Sequence, residues 1–149
     1  MSRNLSKPDI ETQVEFIFID AINLWRNKLG ELAKKEKISR LERRIIVWIA
    51  RMPGMRQSEL AEVMDVEPQS LTRCLEGMEE KGWILKTDNV TDKRAKSLNF
   101  TVDGEKIMDS VMQMSDEIRP IILQNLSLEE KHFLVKILNE IKNNLKAIG

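Results

Sequence analysis

Two short stretches of this 149-residue chain carry side chains suited to reading nucleic acid. Between Pro68 and Lys81, Gln69 and Arg73 can each make paired hydrogen bonds to a base edge, and Ser70 and Thr72 can reach bases or phosphates. At helical spacing Leu71, Cys74, Leu75 and Met78 share an arc of about 100°, while Gln69, Ser70, Arg73, Glu76, Gly77 and Glu80 lie on the far side. One stripe can anchor the helix and the other can be presented. The second stretch, Thr91-Asp92-Lys93-Arg94-Ala95-Lys96, gathers three cations, and from Lys81 to Thr101 five cations face two anions. An arginine on a thin ribbon suits a narrow minor groove, where the potential is most negative. Lys93 and Lys96 suit phosphates. Asp92 would meet phosphate as a like charge, so its expected role is to orient Arg94 or the loop. An ordinary polar helix face would explain the first stretch, and a solvated turn the second. Their succession is more specific than either.

Most other chemistry is excluded by composition. With only His132 and Cys74, no Cys/His zinc site can be built. No nucleophile–base pair, glycine-rich phosphate loop or acidic metal cluster can be assembled, so neither an enzyme nor a cofactor or metal is expected. Cys74 has no partner for an internal disulfide, which reads as a reducing cytoplasm. At the edge of the buried stripe it serves as a small inert hydrophobe; a redox switch is the sharper alternative. His132, after Glu129, Glu130 and Lys131, reads as a solvated residue. The longest apolar run, Ile45–Ala50, has six residues, against roughly 20 for a membrane span. The opening MSRNLSKPDIETQ has no apolar core of a secretory signal. Lys+Arg and Asp+Glu both total 24, which argues against a polybasic tail and an acidic disordered segment.

The positioning elements are mostly helical. Ile10, Val14, Ile17, Phe18, Ala21, Trp25, Leu29 and Leu32 recur on one helix face. Ser39 and Glu42 have the form of a capping box before Leu41, Ile45, Ile46, Ile49 and Met52, and Pro53-Gly54 stops that helix. A short helix over Gln57–Met64, a turn at Asp65-Val66-Glu67, and a helix from Pro68 to about Lys81 make a helix-turn-helix ending at Gly82. Trp83–Thr87 and Lys96–Thr101 are predicted strands, joined by a projecting loop over Asp88–Ala95. Helices are predicted at roughly Val102–Asn125, kinked or broken by Pro120, and Leu128–Ile148, opened by a second box at Ser127 and Glu130.

The run Pro68-Gln-Ser-Leu-Thr-Arg-Cys-Leu-Glu-Gly-Met-Glu-Glu-Lys-Gly-Trp-Ile resembles the recognition helix and first wing strand of MarR-family winged helix-turn-helix regulators. Asp92-Lys-Arg-Ala-Lys-Ser-Leu-Asn-Phe-Thr101 is similar to that family's wing, nearest the SlyA-like branch. Phe100 replaces the usual leucine, and Arg56 stands where the family commonly has a Thr or Ser helix cap. The resemblance implies a mainly α fold with a small β-hairpin wing: one MarR-like domain over residues 1–149, with a DNA-binding lobe at 39–101 and a helical dimerisation region at 10–35 and 102–148. It implies a bacterial, cytoplasmic transcriptional regulator that binds pseudo-palindromic double-stranded DNA as a homodimer. It also allows a small-molecule effector pocket near the lobe–dimer junction, where Met108, Met112 and Met114 would adapt.

The residues support a dimer independently. Leu134, Ile137, Leu138, Ile141 and Leu145 form an apolar stripe on the last helix, and Ile17 and Ala21 lie on the first. A lobe of about sixty residues is too small to bury three long helices; an intramolecular bundle is the alternative. Against strong DNA binding, Ser39–Thr101 holds eleven cations and ten anions. Glu76, Glu79 and Glu80 are expected to lie away from the end entering the groove. The competing function is therefore a helical dimeric interaction protein that has lost specific DNA binding.

Overall fold

Helix starts follow local capping chemistry. A computed structural model describes residues 5–92 and 94–149. Asp9 accepts from the Thr12 N–H at 2.8 Å and opens α1 (Ile10–Lys35). Ser39 opens α2 (Arg40–Arg51) with both halves of the predicted box: Ser39 N–H donates to Glu42 Oε2 at 2.8 Å, and Glu42 N–H donates to Ser39 Oγ at 3.1 Å. The helix-turn-helix is α3 (Gln57–Met64) and α4 (Pro68–Glu80). Asp65 takes the left-handed conformation (φ 48°) in the turn between them.

Arg56 does make the α3 cap differently. Its N–H donates to Glu59 Oε2 at 2.8 Å, and its guanidinium pairs with Glu59 Oε1 at 3.2 Å. A guanidinium has no acceptor, so the half of the box that Ser or Thr would supply is absent. At the other end of the motif, Gly82 (φ 73°) closes α4: Gly82 N–H bonds Glu79 O at 2.9 Å and Trp83 N–H bonds Met78 O at 3.0 Å. This is a Schellman stop, for which the left-handed residue is usually glycine.

The wing is the antiparallel pair β1 (Ile84–Asp88) and β2 (Lys96–Phe100), in a register running from Ile84 opposite Phe100 to Asp88 opposite Lys96. A further segment joins it. Leu98 N–H donates to Met55 O at 2.8 Å, and Arg56 forms a bridge with Ser97. Two residues are too few for an alternating pattern, so the sequence showed nothing there. The remaining helices are α5 (Val102–Ile122) and α6 (Leu128–Ala147), the latter with the Ser127–Glu130 box in place. Helix α5 continues through Pro120 and ends two residues later, short of the expected Asn125, which has φ 67°. The architecture is thus six helices and one hairpin among the described residues, as predicted.

Two compact units divide the chain, residues 1–116 and 117–149. The core of the first joins Ile45, Ile46 and Ile49 of α2, Leu60 and Met64 of α3, Leu71, Leu75 and Met78 of α4, Ile84 and Leu98 of the wing, and Val111 of α5. Within it Gly104 lies so close to Trp83 that a Cβ would overlap the Trp83 carbonyl. In the second unit α6 buries no residue. No helix among the described residues is long and apolar enough to cross a membrane.

Candidate nucleic-acid interface

Burial of Leu71, Leu75 and Met78 orients α4. It leaves Gln69, Ser70 and Arg73 exposed on the opposite face. Pro68, Gln69, Thr72, Arg73 and Glu76 together line a groove of about 340 Å³. Glu76 shares the face of the predicted base readers, as the helical spacing of positions 69, 72, 73 and 76 led one to expect, and it lines the same groove. Glu79 is held 3.2 Å from Lys86 of the wing, which offsets part of its charge.

Thr72 is committed inward. Its hydroxyl donates to Pro68 O at 2.9 Å and accepts from Gln57 Nε2 at 3.0 Å. One lone pair remains for a ligand. Gln57, the first residue of α3, thus ties the two helices of the motif together, a role that no local pattern encodes.

The wing loop is built around Asn89, also unanticipated. Its Oδ1 accepts from Thr91 N–H at 3.0 Å, Thr91 Oγ1 at 2.8 Å and Asp92 N–H at 3.1 Å, while its Nδ2 donates to Ser97 Oγ at 2.9 Å. An Asn directly after a strand was the available signal, since its side chain mimics a turn. Asp92 Oδ1 accepts the backbone N–H of Arg94 at 2.9 Å, so it shapes the loop through that amide. The Arg94 side chain is exposed. Lys96 is ion-paired with Asp88 across the hairpin, and that bond holds the Asp88 carboxyl below its ordinary range. Lys93 lies outside the described residues.

Cys74 is half-buried, and its thiol is pushed up to about 11 by burial first, then by the charge of Glu42, with Lys81 opposing. It is a thiol, not a thiolate, at neutral pH. No cluster of three or more potential metal ligands exists among the described residues. A smaller, half-open cleft of about 260 Å³ between α2, β2 and α5 is lined by Ile49, Ala50, Pro53, Asn99, Phe100, Glu105 and Met108.

Of the predicted interface residues, Ile17 is 67% exposed and Leu145 62% exposed. Ala21, Leu134 and Ile137 are exposed too, while Leu138 and Ile141 are half-buried. Ile10, Val14 and Leu24 extend the exposed apolar surface of α1, whose only buried residues are Leu29, Gly30 and Ala33.

Residues 38–96 match the sequence profile of the MarR family. The fold is similar to that of a MarR-family transcriptional regulator from Silicibacter pomeroyi, at 17% identity and a TM-score of 0.81, over 95% of this chain and 96% of that one. A mutant MarR from E. coli complexed with operator DNA aligns at 21% identity and 0.71, over 90% and 99% of the two chains. A protein from Listeria monocytogenes described as a MarR-family transcriptional regulator, complexed with a 26-mer DNA, aligns at 19% and 0.73, over 93% and 90%. At these identities the likeness establishes the fold. The profile match covers residues 38–96, and the likeness in fold extends over nearly the whole chain.

Proposed function

We propose that this chain, a MarR-family winged helix by its segment 38–96, is a bacterial, cytoplasmic transcriptional regulator that binds pseudo-palindromic operator DNA as a homodimer. The single observation that carries this reading is the exposed Gln69–Ser70–Arg73 face on a helix anchored by its other side. Gln69 and Arg73 read bases in the major groove, Ser70 and the remaining lone pair of Thr72 add contacts, and Arg94 enters the adjacent minor groove. Lys93 and Lys96 hold phosphates, Lys96 exchanging Asp88 for DNA. Asp92 sets the loop. Solved relatives complexed with DNA lend weight to the ligand class.

The dimer is inferred from apolar surface that this chain alone leaves open: Ile17 and Ala21 on α1, and Leu134, Ile137, Leu138, Ile141 and Leu145 on α6. The SlyA-like placement rests on Asp92-Lys-Arg-Ala-Lys96. A small-molecule effector belongs to the same proposal, with Met108 in the cleft beside Phe100 as its nearest support.

Selection of fragments from the source genome, followed by retardation of the chosen duplex at fixed salt, tests the function. Enrichment of a pseudo-palindrome with half-sites about 10 base pairs apart is expected. Equal binding of selected and random duplexes would favour the alternative, a helical dimeric interaction protein, for which the Lys96–Asp88 pair and the balanced charge of the lobe speak.

A further inference from the structure

The serine–glutamate capping box occurs twice among the described residues, and only at the start of α2 is its glutamate buried. At the start of α6 the Ser127–Glu130 box is exposed, and no cation pairs with Glu130 among the described residues. At the start of α2 the side chain of Glu42 is 9% exposed, and its second oxygen, Oε1, accepts from Lys81, which follows α4 directly. A cap does not need burial. Burying a carboxylate costs free energy unless each oxygen is met, so the α2 version serves something besides its own helix.

We propose that Glu42 and Lys81 form a positioning pair that fixes the C-terminal end of the recognition helix, so that base reading at its opposite end depends on a contact outside the DNA interface. This rests on the reading of α4 as a DNA-recognition helix. Lys81 is held from two sides, by the Glu42 carboxylate and by the Trp83 ring, whose centroid is 4.4 Å from Nζ. Trp83 is itself fixed: its carbonyl accepts Thr101 N–H at 3.1 Å and is packed against Gly104, while the Thr101 hydroxyl donates to Gly82 O. Lys81 is therefore anchored to α2 through Glu42 and, through Trp83, the residue that precedes β1, to the start of α5. Gln69 is twelve residues from this anchor, about 18 Å along a helix. A tilt of about 10° there moves Gln69 by about 3 Å, far beyond hydrogen-bond tolerance.

Three full-length variants, Glu42→Gln, Lys81→Met and the double substitution, test the pair. In the first, the amide oxygen remains an acceptor for the Ser39 N–H. The two single changes alter net charge in opposite directions, so a role through charge alone shifts DNA binding oppositely. Positioning predicts that both reduce the ratio of operator to random-duplex affinity about five- to tenfold at constant salt, with the double variant no worse than either single. Cys74, on α4 and sensitive to both charges, supplies a readout without DNA. Removing the Glu42 charge lowers the thiol pKa and removing the Lys81 charge raises it, so charge alone speeds alkylation by iodoacetamide in one and slows it in the other. A released helix speeds it several-fold in both. Faster alkylation in both with no operator binding by the unaltered protein would reject the function proposed above while supporting the anchoring of α4. Opposite alkylation shifts, or unchanged operator preference in folded single variants, would overturn the pair.

Discussion

Helices α2 and α6 begin alike and end in different circumstances. Each opens with serine, two residues and glutamate, and each carries an apolar stripe. Helix α2 buries Ile45, Ile46 and Ile49, whereas α6 buries none of Leu134, Ile137, Leu138, Ile141 or Leu145. Capping and periodicity therefore establish a helix and its apolar side without establishing what covers that side. In α2 the cover comes from the same chain. In α6 we infer that it comes from a second copy, because an apolar stripe of this length left in water forfeits the burial that stabilises ordinary helices.

The largest test of this contrast is Leu138→Asp with Ile141→Asp. Two carboxylates in an apolar seam have no compensating partner, so dimer and operator binding should be lost together. Sedimentation at micromolar protein is the measurement. A 17.3 kDa monomer from the unaltered chain that still binds a palindrome tightly would break the comparison.

Next in size is a matched pair of truncations. Leu75 is fully buried in the lobe, and Leu75→Ala should cost about 2–5 kcal/mol at any protein concentration. Leu138→Ala should instead lower the melting temperature most in dilute protein, because a dimer's stability depends on concentration. Thermal melts across a hundredfold dilution separate the two. Parallel dilution behaviour would place both residues in the same kind of core.

The exposed regions of the lobe should behave differently again. Arg94→Ala should lose about 2 kcal/mol of operator binding with an unchanged melting temperature, since an exposed loop side chain has little packing to lose. Arg73→Ala should cost about 1–3 kcal/mol and flatten preference at one or two base positions. Lys96→Ala should weaken all sequences alike and lower the salt slope by about one. Uniform losses for both Arg73 and Lys96 over a randomised operator library would merge the two roles.

The smallest effect concerns the caps. Ser39→Ala and Ser127→Ala should each cost about 1 kcal/mol. Acid should distinguish the glutamates. Burial opposes ionisation of Glu42, but the bonds from Lys81 and Ser39 outweigh it and hold its pKa below the ordinary 4.5. A carboxylate lowered by folding contributes stability above its unfolded pKa and loses that contribution as pH falls through the folded value. Melts between about pH 3 and pH 6 should therefore show a steeper acid loss in the unaltered chain than in Glu42→Gln. Identical acid limbs would remove the electrostatic part of the difference between the two boxes.

The sequence by itself determined most of the element order. Gln57–Met64 and the helix from Pro68 were legible because a helical period, a proline at the first helical position of α4 and a glycine after its end are coded within a few neighbouring residues. The exposed face of α4 followed from the same local signals, and the winged-helix fold class from the resemblance of Pro68–Thr101. What local signals could not contain were bonds between distant positions: Gln57 to Thr72, Met55 to Leu98, and Lys81 to Glu42, 39 residues apart. Nor did they show Lys96 engaged by Asp88. Helical and strand periods assign a side chain to a face. Only tertiary packing brings a second element against that face, and the free energy of a buried charge or apolar stripe depends on which element arrives.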